Sequence, residues 1–162
     1  EFRGKRWQSV GRGEAAADLD TKEDGEESKD EKREEQEAAY HDLVTCLRAA
    51  VQEKVREVRL SHRLTSSPAC LVVEEGDLSP RMGEILRRAG QEVPDVKPIL
   101  EVNPDHSLLV RLQEIFAADG TDPRLRQYAE LLYGQALLAE GGRLEDPAAF
   151  SRTLADVMER AL

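Results

Sequence analysis

Three histidines, two cysteines and one glycine-rich run are the residues of this chain whose types could do chemistry. Gly11-Arg12-Gly13-Glu14-Ala15-Ala16 has the letters of a G-x-G-x-x-A dinucleotide loop. Such a loop works only where a buried strand feeds a helix whose N-terminal N–H groups receive a pyrophosphate. The preceding Lys5-Arg6-Trp7-Gln8-Ser9-Val10 is polar and short, so that context is missing. His41, His62 and His106 are spread over the chain with no Cys/His pairing of metal-ligand spacing. Glu37 and His41 share a helix face, which suits a surface ion pair, because a metal would need a second cluster. Ser61-His62 lacks a nucleophile elbow, and His106 follows Asn103-Pro104-Asp105 at a helix start, where capping or packing is expected. Cys46 and Cys70 fall in a predicted helix and a predicted strand and read as small, reduced, buried residues. We therefore assign no catalytic, cofactor-binding or metal-ligating residue and expect no enzyme activity from this stretch alone.

The elements that would have to position such residues carry a clearer message, and charge shows where they begin. The chain has 162 residues and a formal net charge of −10. Between Glu14 and Glu37 stand 12 acids and 4 bases, so that stretch carries −8 and the rest of the chain only −2. Residues 14–32 hold one large apolar side chain, Leu19, too little burial to offset the entropy of ordering. We read residues 14–37 as an acidic linker, helical toward its end, and residues 1–13 as an arm or the end of a preceding domain. The acid run otherwise suits a nucleic-acid mimic or a ligand for a basic protein, although it lacks aromatic or β-branched anchors. No basic stripe tracks a phosphate backbone and no apolar run reaches the roughly 18 residues of a membrane span. Nucleic acid and membrane are thus not expected partners. The absence of an initial Met suggests a fragment whose upstream domains are missing.

From about Arg33 the pattern changes. Tyr40, Leu43, Val44, Leu47, Val51 and Val55 recur at three- and four-residue steps, predicting an amphipathic helix to about Lys54. Arg56–Ser61 and Ala69–Val73 predict strands, and Pro98–Val102 a third. Ser79-Pro80 opens a helix that Gly90 closes, and Asp122-Pro123 and Asp146-Pro147 repeat the device of a cap followed by Pro at the first helical position. The order is helix, strand, strand, helix, strand and three helices: an α+β domain with a small three-stranded sheet, residues 38–162.

The last two helices carry more apolar surface than such a sheet can cover. Leu125, Tyr128, Leu131, Leu132, Ala136, Leu138 and Ala139, with Gln135 among them, mark the first. Phe150, Leu154, Val157, Met158 and Ala161 mark the second. A short Gly-Gly turn makes the pair an antiparallel hairpin. Two copies of it would form a four-helix bundle across a two-fold axis. The same residues could instead pack wholly within one chain, and periodicity does not choose between the two.

Several stretches together resemble the C-terminal domain of the heat-shock protein 90 family, in its bacterial form. They are Gly4-Lys5 with Gln8-Ser9-Val10, VREVRLSHRLTSSPACLVV (Val55–Val73), LSPRMGEILRRAGQEVPDVKPILEVNPDH (Leu78–His106), QALLAEGG (Gln135–Gly142) and LEDPAAF (Leu144–Phe150). The resemblance implies a homodimer held by the last two helices, with the residues just named as its interface. It implies a chaperone acting on unfolded or partly folded client proteins in the cytoplasm. ATP and Mg would serve the parent protein in an absent N-terminal domain, with no cofactor in this fragment, and residues 1–13 would end the preceding middle domain. It also implies that the helix after Leu78 touches clients through Leu78, Met82, Ile85 and Leu86, with Trp7 as a further contact. Without the resemblance, the residues themselves favour ordinary core packing of that helix against the sheet. The final Arg160-Ala161-Leu162 is not the acidic tail that recruits tetratricopeptide co-chaperones, so none is expected. The alternative is a monomeric acidic adaptor whose strap binds a basic protein.

Overall fold

The computed structural model describes residues 26–162 apart from Glu75 and Asp95, with side chains from residue 31. Trp7, the arm and the dinucleotide-like run lie outside the described residues. Five helices and three strands follow in the order α1 (Glu26–Val51), β1 (Glu57–Leu60), β2 (Ala69–Val72), α2 (Pro80–Arg88), β3 (Ile99–Val102), α3 (Ser107–Ala118), α4 (Pro123–Ala139) and α5 (Pro147–Arg160). The α+β class with a small three-stranded sheet is what the sequence predicts. One boundary differs: α1 begins at Glu26, seven residues before the expected start and well inside the acidic stretch. Five of the seven added residues, Glu26, Glu27, Lys29, Glu31 and Lys32, are good helix formers and none is Gly or Pro, so propensity extends the helix beyond its apolar stripe.

The helix starts form as their cap residues dictate. Ser79 Oγ accepts from the Met82 amide at 3.3 Å, Asp122 Oδ1 from that of Arg124 at 2.8 Å, and Asp146 Oδ1 from that of Ala149 at 2.8 Å. His106 caps α3 through Nδ1, which accepts from the Leu108 amide at 3.1 Å. Each of these four N-termini thus has one of its free amides satisfied by a side chain of this chain.

β3 is the central strand, parallel to β1 and antiparallel to β2. The register places Val58 beside Leu100 and Leu100 beside Leu71, and strand alternation puts Leu60, Val102 and Ala69 on the same face. That face packs on α1 and α4, and Leu43 and Leu47 of α1, Leu109 and Leu112 of α3 and Leu125, Ala129, Leu132 and Ala136 of α4 complete the core. The neighbouring turn is held by Asn103, whose Nδ2 donates to Ser67 O (3.2 Å) and whose Oδ1 accepts from the Asp105 amide (3.0 Å).

On the opposite face the register aligns Arg59, Glu101 and Cys70. Glu101 is only 4% exposed, an unusual place for a carboxylate. Arg59 donates to Oε1 from Nε (3.1 Å) and Nη2 (2.8 Å), and Arg63 donates to Oε2 from Nε (2.8 Å). Burial pushes the Glu101 carboxyl up, but these charged hydrogen bonds outweigh it and hold the group below its ordinary 4.5. A carboxyl depressed on folding stabilises the fold above its unfolded value, and that contribution is lost as pH falls through the folded one. Thermal midpoints should therefore drop on acidification below about pH 4.5, and Glu101→Gln should flatten that part of the profile. An unchanged profile in melts across a pH series would remove Glu101 from the account.

Candidate functional site

Two apolar faces among the described residues are left uncovered. The first belongs to the terminal hairpin. α4 lays Leu125, Ala129, Leu132 and Ala136 into the core, each 0–2% exposed. α5 returns antiparallel along another side of α4: the Phe150 ring rests on Gly134, and Arg160 Nη1 donates to Gln127 Oε1 at 3.0 Å. Gly134 is required there, because a Cβ would stand 2.6 Å from two ring carbons of Phe150. The turn between the helices uses Gly141 at φ +73°, a conformation that costs an L side chain strain.

No residue of α5 is buried. Leu154 is 41% exposed, Met158 61%, and Leu138 on α4 48%. Gln135, Ala139 and Ala161 are exposed, while Tyr128, Leu131, Phe150 and Val157 are half-buried. The expected interface set thus divides in two. Leu125, Leu132 and Ala136 are correctly apolar but belong to the chain's own core, with no surface left to give a partner. Helix α4 is apolar on two sides, one against α1 and β2 and the other outward, and these three residues lie on the first.

The second face is on α2. Leu78 and Leu86 are half-buried, whereas Met82 and Ile85, one turn apart, are 46% and 50% exposed. Beneath the helix, Gly83 is buried and faces the side chain of Val93. A cavity of about 250 Å³ there is lined by Leu78, Gly83, Val93, Tyr133 and Leu137, among others. Met82 and Ile85 are therefore not packed against the sheet. Arg87 and Arg88 both reach Glu84, at 3.9 and 2.9 Å.

The histidines, cysteines and carboxylates whose types suit chemistry are placed otherwise. Glu37 meets His62 at 4.0 Å, across elements, where pairing with His41 was expected. Among the described residues no group of three His, Cys, Asp or Glu is arranged to hold a metal ion. Cys46 and Cys70 are free and half-buried, and burial pushes the Cys70 thiol up to about 11. The Arg59–Glu101–Arg63 network was missed at the sequence level; the signal was an acid inside the apolar run Pro98-Ile99-Leu100-Glu101-Val102. Its saturated hydrogen bonding makes it a structural clamp.

A family profile described as "Hsp90 protein" matches residues 1–162. The chain is 48% identical over 162 residues to "Chaperone protein HtpG" of Rhodococcus jostii, covering all of this chain and 25% of that protein. It is 46% identical over 162 residues to the protein of that name from Mycobacterium avium, with 24% of it covered. Against that of Mycobacterium tuberculosis it is 48% identical over 164 residues, covering 25%. The chain spans about a quarter of the length of these relatives.

Proposed function

The chain belongs to the Hsp90 family, and from that premise we propose that it is the C-terminal dimerisation and client-contact domain of a bacterial chaperone. The observation that carries the dimer is α5: a 14-residue amphipathic helix that buries none of its residues within the chain. Apolar faces of this extent, rimmed by polar groups, mark association sites. The proposed occupant is a second hairpin, related by a two-fold axis, with Leu131, Gln135, Leu138, Ala139, Phe150, Leu154, Val157, Met158 and Ala161 at the seam and Tyr128 at its edge. Such a contact buries on the order of 1,200–2,000 Å² in total. We place the start of the dimerising unit at Glu26 in preference to residue 38, since α1 is continuous and Gln36 Nε2 already donates to Asp105 at 2.9 Å. Residues 1–13 would then end the middle domain.

In the whole protein, ATP hydrolysis would reside upstream, and joining two arms at this domain would make their encounter intramolecular. α2 would offer Met82 and Ile85 to exposed apolar segments of clients, as its open face permits. A cytoplasmic setting is part of the proposal and rests on the HtpG relatives; among the described residues no helix is long and apolar enough to cross a membrane.

Removing residues 14–25 distinguishes this reading from that of an acidic adaptor. We expect size-exclusion chromatography to show the truncated chain still dimeric. A monomer, together with loss of a salt-sensitive basic partner, would favour the adaptor.

A further inference from the structure

Methionine usually fills cores, yet both methionines of this chain are on the surface, Met82 at 46% and Met158 at 61% exposure. Each sits in one of the two open faces: Met82 beside Ile85 on α2, Met158 beside Leu154 on α5. In a single chain Met158 is the more accessible. In the dimer the partner's hairpin covers it, and Met82 becomes the one thioether open to solvent among the described residues.

We propose that Met82 is an oxidation site through which hydrogen peroxide weakens client contact; this rests on the readings of α2 as a client-contact helix and of α5 as the dimer seam. The Met82 sulfur attacks one peroxide oxygen, and its lone pair forms the S–O bond as the O–O bond breaks. The departing hydroxide takes the proton left on the transferred oxygen and leaves as water. Sulfur is oxidised by two electrons to the sulfoxide and peroxide is reduced to water. The product sets a strongly polar S–O group in a face that otherwise offers Ile85, so an apolar client segment can cover that face only by desolvating the new oxygen. The thiols compete poorly. Both are half-buried, and burial raises the Cys46 thiol and pushes that of Cys70 to about 11, leaving little thiolate to react.

The test is peptide mass spectrometry on the 162-residue chain during exposure to hydrogen peroxide, with suppression of a model client's thermal aggregation measured in parallel. We expect Met82 to oxidise faster than Met158 in the dimer, and the order to reverse in a monomeric Leu154→Asp chain. Measured against each protein's own untreated level, peroxide should cut aggregation suppression by the wild type severalfold and that by Met82→Leu hardly at all. Met158 oxidising as fast as Met82 in the dimer, or Met82→Leu losing as much capacity as the wild type, would overturn the proposal. Full aggregation suppression by untreated Ile85→Asp would remove the client reading beneath it, and is told apart because the oxidation order is measured without any client.

Discussion

Leu154→Asp is expected to leave a folded monomer. In the single chain Leu154 is 41% exposed on a helix with no buried residue, so a carboxylate there keeps its water and the fold loses little. Two hairpins meeting across a two-fold axis would bring both introduced carboxylates into an apolar seam. Each unpaired buried charge costs about 3–5 kcal/mol, which weakens association by a factor on the order of 100–1,000 or more. The contrast is Leu132→Asp. That side chain is 1% exposed within the chain's own core, so the same substitution should unfold the domain before association is reached. Circular dichroism and sedimentation together separate the cases: native helicity with half the mass for Leu154→Asp, lost helicity for Leu132→Asp. A dimeric Leu154→Asp would move the interface off α5.

Gly134→Ala is expected to have the second large effect, by displacing α5. The added methyl would stand 2.6 Å from two carbons of the Phe150 ring and 3.3 Å from Leu144 Cδ2. A ring is not the free end of a flexible side chain, so α5 itself has to shift outward. Overpacking of this kind costs about 1–3 kcal/mol. Because Phe150 lies in the proposed seam, the shift should also misalign Leu154 and Met158 and raise the dimer dissociation constant. Thermal melts and sedimentation of this variant measure both; unchanged values for both would contradict the close packing of α5 on α4.

Much of this architecture was legible in residue order because local chemistry specifies it. Ser79, Asp122 and Asp146 each precede a Pro that can only begin a helix, and all three act as caps. Gly90 and Gly141 take the positive φ expected after a helix. Two features were not legible. The outward and inward residues of α4, Leu131 and Leu132 for example, are adjacent in sequence and equally apolar, so periodicity finds the stripes without saying which is covered at home. The Glu101 clamp depends on β3 lying between β1 and β2, a strand order that no local signal encodes. Helix α1 also runs further than its apolar stripe because its acidic turns are held by propensity.

The central claim is that the open face of the hairpin is closed by a second copy of the chain. Multi-angle light scattering of the intact chain across a dilution series tests it most directly. The account predicts about twice the chain mass of 18.1 kDa throughout the micromolar range. A mass of one chain at those concentrations would contradict it.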